Sequence, residues 1–236
     1  MNRKKLRILA ASLAAVAVIA GISAYFTSED TVTNAFVAST LKIQIVENKW
    51  VPDPVIVPEK KIDKDPKIKN ADTTPAYVFM EVTVPAQRLV IEDASVNSKG
   101  ISLGTKTAPL FRFVDKDGNY TVQPDTSEQT VNPGWCLMEG YPKIITDSSK
   151  AVTGYTYLYA YTGSNQGSIM SVLQPGDLTE NALFDKVIFT NAREGQGLEG
   201  TTQNINIKAY AIQNDFLESP TSTKAEAADV WKILQE

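Results

Sequence analysis

The chain has 236 residues, 43% apolar and 21% charged, with 13 Gly and 12 Pro, which sets aside collagen-like, low-complexity and disordered classes. Its 23 basic and 27 acidic residues give a net charge of −4, so bulk charge draws it to neither nucleic acid nor an anionic membrane. With no histidine and one cysteine, Cys136, it lacks the commonest zinc ligand and general base and can form no intrachain disulfide.

Met1 to Arg7 is basic, Ile8 to Ile22 is apolar, and Ser23-Ala24 places small residues before Tyr25-Phe26. This three-part pattern predicts a secretory signal peptide over 1–24, cut between Ala24 and Tyr25, because the apolar run is shorter than the roughly 20 residues a membrane span needs. The processed chain is then secreted, with no membrane attachment after cleavage. Its Arg3, Lys4, Lys5 and Arg7 are lost with the leader, so what remains is more acidic still.

From residue 25 onward the apolar period is close to two. Leu41, Ile43 and Ile45 alternate with Lys42, Gln44 and Val46, Val78, Met80, Val82 and Val84 with Tyr77, Phe79, Glu81 and Thr83, and Ile205, Ile207, Ala209 and Ala211 with Asn204, Asn206, Lys208 and Tyr210. Leu110 to Val114 and Tyr120 to Gln123 flank Asp115-Lys116-Asp117-Gly118-Asn119, which predicts a hairpin. Val51 to Thr74, with four prolines and a charge run, predicts an extended crossing loop or an edge segment. Asn97 to Pro109 and Gly163 to Ser168 are expected to be loops, and Asn191 to Gly200 to link two strands. Ala227, Val230, Trp231 and Leu234 share one face of a helix near 225–234. The expected architecture is all-β: one antiparallel β-sandwich domain over 37–236 with a short C-terminal helix, preceded by a segment over 25–36.

Several motifs suggest chemistry. Gly195-Gln196-Gly197-Leu198-Glu199-Gly200 has the letters of a dinucleotide fingerprint, but an alternating strand follows it where a helix is required, so a glycine-rich loop is expected. Asp115, Asp117 and Asn119 resemble the opening of a calcium loop. An EF-hand would need Glu where Thr126 stands, so a plain hairpin turn is preferred, with Ca2+ the alternative and no other cofactor expected. Catalytic triads and histidine zinc sites are excluded by composition. Glu92, Asp93, Asp177, Glu180 and Asp185 offer carboxylate pairs for glycoside hydrolysis only as any acidic chain does, and a solvated surface is the preferred reading. Tyr155, Tyr157, Tyr159 and Tyr161 place four rings on one face of a strand, either packed as a ladder or open to a glycan.

The junction Ala24-Tyr25-Phe26-Thr27-Ser28, followed by Asn34-Ala35-Phe36-Val37-Ala38-Ser39-Thr40-Leu41-Lys42-Ile43, resembles the TasA and camelysin family of Gram-positive bacteria. So does Lys64-Asp65-Pro66-Lys67-Ile68-Lys69-Asn70 with Ala76-Tyr77-Val78, and a C-terminal set of Leu173-Gln174-Pro175-Gly176-Asp177, Leu183-Phe184-Asp185, Ile207 to Gln213 and Trp231. Ser39 and Glu59 stand where glycine is common in that family. The resemblance implies a jelly-roll-like sandwich, cleavage by a SipW-type signal peptidase, and assembly with itself and other matrix proteins into fibres of a biofilm matrix or cell surface. A metallo-endopeptidase activity, carried by name in some relatives, is not expected without histidine; secreted hydrolase and glycan-binding adhesin are the alternative functions. Phe26, Val32 and Phe36 fall on one face of the 25–36 segment, which makes it a candidate donor strand for the next subunit.

Overall fold

In the computed structural model the described residues are 41–50, 59–93, 101–193, 195–198, 201–214 and 225–235. They form a mostly β, antiparallel structure with a helix near the C-terminus. The centre is β4 (Ala76–Asp93), whose first half runs between β11 (Asn206–Gln213) and β9 (Val152–Tyr161). The sheet continues past β9 to β7 (Trp135–Leu137) and β8 (Lys143–Thr146). The second half of β4 pairs with β5 (Ile101–Pro109). Pro85 marks the changeover: the β9 ladder ends there, where a residue without an N–H costs no ladder bond.

Two smaller sheets accompany the large one. β1 (Ile43–Val46) pairs with β3 (Lys67–Asn70), and β10 (Lys186–Phe189) lies between β2 (Lys61–Asp63) and β6 (Phe111–Val114). Period-two alternation along β4 and β9 divides their side chains between two apolar clusters. Val78, Met80, Val82 and Val84 with Tyr157 and Tyr159 join residues of the smaller sheets, including Ile43, Ile68, Phe111, Phe113 and Val187, in the main core. Tyr77, Phe79, Leu158 and Ala160 face the other way and meet Ala227 and Val230 of α1 (Ala227–Gln235). The β11, β4 and β9 part of the large sheet is therefore covered on both faces. Trp231 of α1 is half-buried, its ring 5.0 Å from Phe79 and 5.3 Å from Tyr210.

Two expected loops or turns come out differently, and the proline-rich stretch carries the edge segments that its sequence allows. Residues 101–109, expected as loop, are strand β5, because the long β4 beside them supplies a partner; a bulge between Ile91 and Glu92, with Gly104 at φ 79°, absorbs the irregular sequence. Within the proline-rich stretch, β2 and β3 are short strands at sheet edges, while residues 51–58 lie outside the described ones. The hairpin after β6 closes with a single bridge, Val114 to Tyr120, and β6 takes β10 as its ladder partner instead. On its other side the Gln129 amide accepts from the Phe113 N–H at 2.8 Å and donates to the Phe111 carbonyl at 3.1 Å, standing in for a strand. Glu59 adopts φ 60°, the left-handed conformation that glycine takes more easily, and its carboxylate accepts from Arg112 Nη2 at 2.6 Å.

Candidate functional site

The Lys64-Asp65-Pro66 link between β2 and β3 is buried throughout, although two of its residues are charged. Pro66 cannot extend a ladder, so the chain leaves β2, crosses the interior and enters β3 within these three residues. The Lys64 N–H donates to the Asp185 carbonyl at 3.1 Å, which seats the link against the entry to β10. Lys64, 1% exposed, extends its ammonium to Glu47 Oε1 at 2.7 Å, and the Trp50 ring lies 4.7 Å from Nζ. Glu47 immediately follows β1, and its side chain is 9% exposed. Burial pushes the Lys64 pKa below the ordinary lysine value, outweighing the attraction and hydrogen bond of Glu47 and the charge of Asp65.

From this pair a polar seam runs toward the β6 turn. Asp65 Oδ1 accepts from the Lys49 N–H at 2.8 Å, and Lys49 Nζ reaches Asp185 Oδ2 at 2.9 Å. Asp185 Oδ1 accepts from Asn132 Nδ2 at 2.8 Å, and Asn132 Oδ1 accepts from the Lys116 N–H at 2.6 Å. Partial burial of Asp185 works to raise its pKa, but hydrogen bonds from Lys49 and Asn132 and the charges of Lys49 and Lys67 hold it below the usual carboxylate value. A second node is Asn70, at the end of β3 and 0% exposed. Its amide donates to the carbonyls of Thr74 and Leu173 and accepts from the Asp72 N–H. The Lys64 to Asn70 block thus places Lys64, Asp65 and Asn70 inside, joined to four separate parts of the chain, while Lys67 and Lys69 stay half-buried.

The other nominated residues are dispersed. Asp115 Oδ1 accepts from the Asp117 and Asn119 N–H groups at 2.9 and 2.8 Å, and Oδ2 accepts from Asn119 Nδ2 at 2.9 Å. Desolvation opposes but does not overcome these bonds, and the Asp115 pKa is lowered. Asp117 pairs with Lys116. The three therefore build an Asx turn whose carboxylate serves its own backbone, and among the described residues no group of three or more Cys, Asp or Glu is placed to hold a metal ion. Of the four tyrosines, 157, 159 and 161 are in the main core and Tyr155 is half-buried against it. Phe113 packs edge-on to Tyr157, whose hydroxyl donates to the Ser127 carbonyl at 2.6 Å. A glycan stacks on an exposed ring face, and these three rings present none. Ala24, Tyr25, Phe26, Val32 and Phe36 lie outside the described residues. Of the candidate carboxylates, Glu92 is bound to Arg193 and Asp185 belongs to the seam.

The glycine-rich loop also has a structural part. Gln196 Oε1 accepts from the Val90 N–H at 2.6 Å and Nε2 donates to the Val90 carbonyl at 3.1 Å, so its amide completes a ladder position on β4. Glu47, Asn132, Gln129 and Gln196 carried no periodic signal in the sequence; their roles depend on partners distant along the chain.

One surface stands out at the end of the large sheet. β8 pairs, among the described residues, only with β9, and all four of its residues are exposed. Ile144 is 62% and Ile145 37% exposed, with Leu137 of neighbouring β7 also open to solvent. Lys143 caps one end of this edge, its Nζ 4.7 Å from the Tyr141 ring, and a register shift between Ile145 and Thr146 marks the other. Charge and a bulge blunt an edge against indiscriminate pairing, yet the two isoleucines keep it apolar.

Fold and site together define a mostly antiparallel β protein with a polar seam that starts from a buried Lys64–Asp65 link and reaches the surface at Lys49, and with an open apolar edge. No family model, curated protein or solved structure matches the chain. Among the described residues no helix is long and apolar enough to cross a membrane.

Proposed function

We propose that this chain is an exported structural subunit of the TasA and camelysin type, processed by a SipW-type signal peptidase and assembled into fibres of an extracellular matrix or cell surface. The observation that carries the reading is the β8 edge: among the described residues nothing pairs with its far side, and Ile144, Ile145 and Leu137 are exposed beside it. Such an edge accepts a strand through main-chain hydrogen bonds and gains specificity from apolar side chains at alternate positions. The segment over 25–36 supplies that strand, with Phe26, Val32 and Phe36 along one face. Before cleavage the leader occupies its end, so pairing waits for export. A subunit that donates at one place and accepts at another makes a heterologous contact, which propagates as a filament rather than closing as a dimer. In this reading the sheets form a jelly-roll-like sandwich and the partly buried seam keeps it rigid under load.

Electron microscopy of the processed protein tests this: filaments are expected, and a chain beginning at Val37 is expected to fold and remain monomeric. Absence of filaments from processed protein would overturn the fibre reading. Normal filaments from the truncated chain would overturn the donor strand while leaving fibre formation standing.

A further inference from the structure

We propose that Lys64 and Glu47 become joined by an intramolecular amide bond, a covalent cross-link between the end of β1 and the β2–β3 link. Nζ lies 2.7 Å from Oε1, and the Cδ atom that carries Oε1 is one bond further on. Both side chains are nearly closed to water, and the Trp50 ring covers Nζ. A pair held in this way reacts as a unimolecular system, with the orientation already set by the fold.

The chemistry balances without a co-reactant. Proton transfer from the ammonium to the carboxylate gives a neutral amine and a carboxylic acid. The nitrogen lone pair attacks Cδ, the C–N bond forms, and the C–OH bond breaks. The second nitrogen proton leaves with the hydroxyl, so one water is released. Burial favours the first step, because it weakens the hold of Lys64 on its proton. It also favours the product: two buried charges carry a large desolvation penalty, whereas an amide is neutral. Glu47 is bound to Lys64, whose amine, once neutral, is a nucleophile, as an arginine guanidinium would not be.

The cross-link has a place in the architecture. β1 has four residues and, among the described residues, pairs only with β3, so few ladder bonds hold it. With Cys136 as the single cysteine, a disulfide cannot reinforce it. An amide from Glu47 to Lys64 fastens the exit of β1 to the chain that enters β3, its own ladder partner. This inference does not depend on fibre formation and stands or falls separately.

Mass spectrometry of the purified, unfolded full chain tests it. The expected mass is one water below that of the sequence between the chain's own termini. Trypsin should leave Lys64 uncut and release a branched peptide joining Ile43–Lys49 to Ile62–Lys67. The Lys64→Arg variant should show the full mass and no branched species. Recovery of linear Ile43–Lys49 and Ile62–Lys64 from the unaltered chain would overturn the proposal, with no need for any variant to fold. A water loss that maps to Asp117-Gly118, where an aspartimide can form, would overturn it equally.

Discussion

Asn70 has its amide fully enclosed at the end of β3, where it donates to Thr74 and Leu173 and accepts from Asp72. Removing it strands buried groups that then have no water to turn to, and Asn70→Ala should lower stability by about 2 kcal/mol, read as a shift of the urea midpoint. Tyr210 poses a different question, because its proton is held by its surroundings. Burial, then the charge of Glu81 and the hydrogen bond between them, push its pKa up to about 12 from an ordinary 10. The folded state holds the phenol neutral, so this stabilisation is complete below pH 10 and is lost as pH rises from 10 through about 12. Tyr210→Phe should flatten the loss of stability over that window in alkaline urea titrations. An unchanged slope would place the alkaline transition elsewhere.

At the scale of elements, α1 is too short to hold its shape alone, and its stability comes from the sheet face beneath it. Ala227, Val230 and Leu234 are buried there, with Trp231 packed on Phe79 and Tyr210. Asp229 in the first turn and Lys232 in the last complement the helix dipole. Trp231→Ala should cost about 2 kcal/mol, less than a fully buried indole would, with the change seen in the urea midpoint. If the midpoint did not move, α1 would not be docked in solution. The helix was legible in the sequence because its apolar positions recur at helical spacing, and β4, β9 and β11 because theirs recur at two. β5 was not, since Thr105, Lys106 and Thr107 carry little apolar signal and take strand geometry only because β4 lies beside them.

For the whole molecule, the distribution of exposed apolar residues is the informative quantity. Among the described residues the large exposed apolar side chains are Val122, Leu137, Ile144, Ile145 and Leu178, and three of these five gather at the β7 and β8 edge of the large sheet. Ile144→Lys together with Ile145→Lys should abolish filament growth, since charges there oppose strand addition and cannot fill an apolar contact. Both positions are exposed, so the urea midpoint of the monomer should stay within about 0.5 kcal/mol of the parent. Filaments that form at the parent rate would move the acceptor site away from β8.

Local pattern by itself determined the β class, the strands with clean alternation and the C-terminal helix, because each depends on spacing between near neighbours. The tyrosine stripe shows where that information ends. Spacing placed the four rings on one face, but only the position of β9 inside the sheet decided that the face is an interior one. The same holds for the charged block at Lys64 and Asp65. Charge in a sequence signals solvent, and these two residues are buried because Glu47 and the Lys49 backbone, brought in by β1 pairing with β3, satisfy them there. Pairing between distant segments sets the environment of a side chain, and no local pattern encodes which segments will meet.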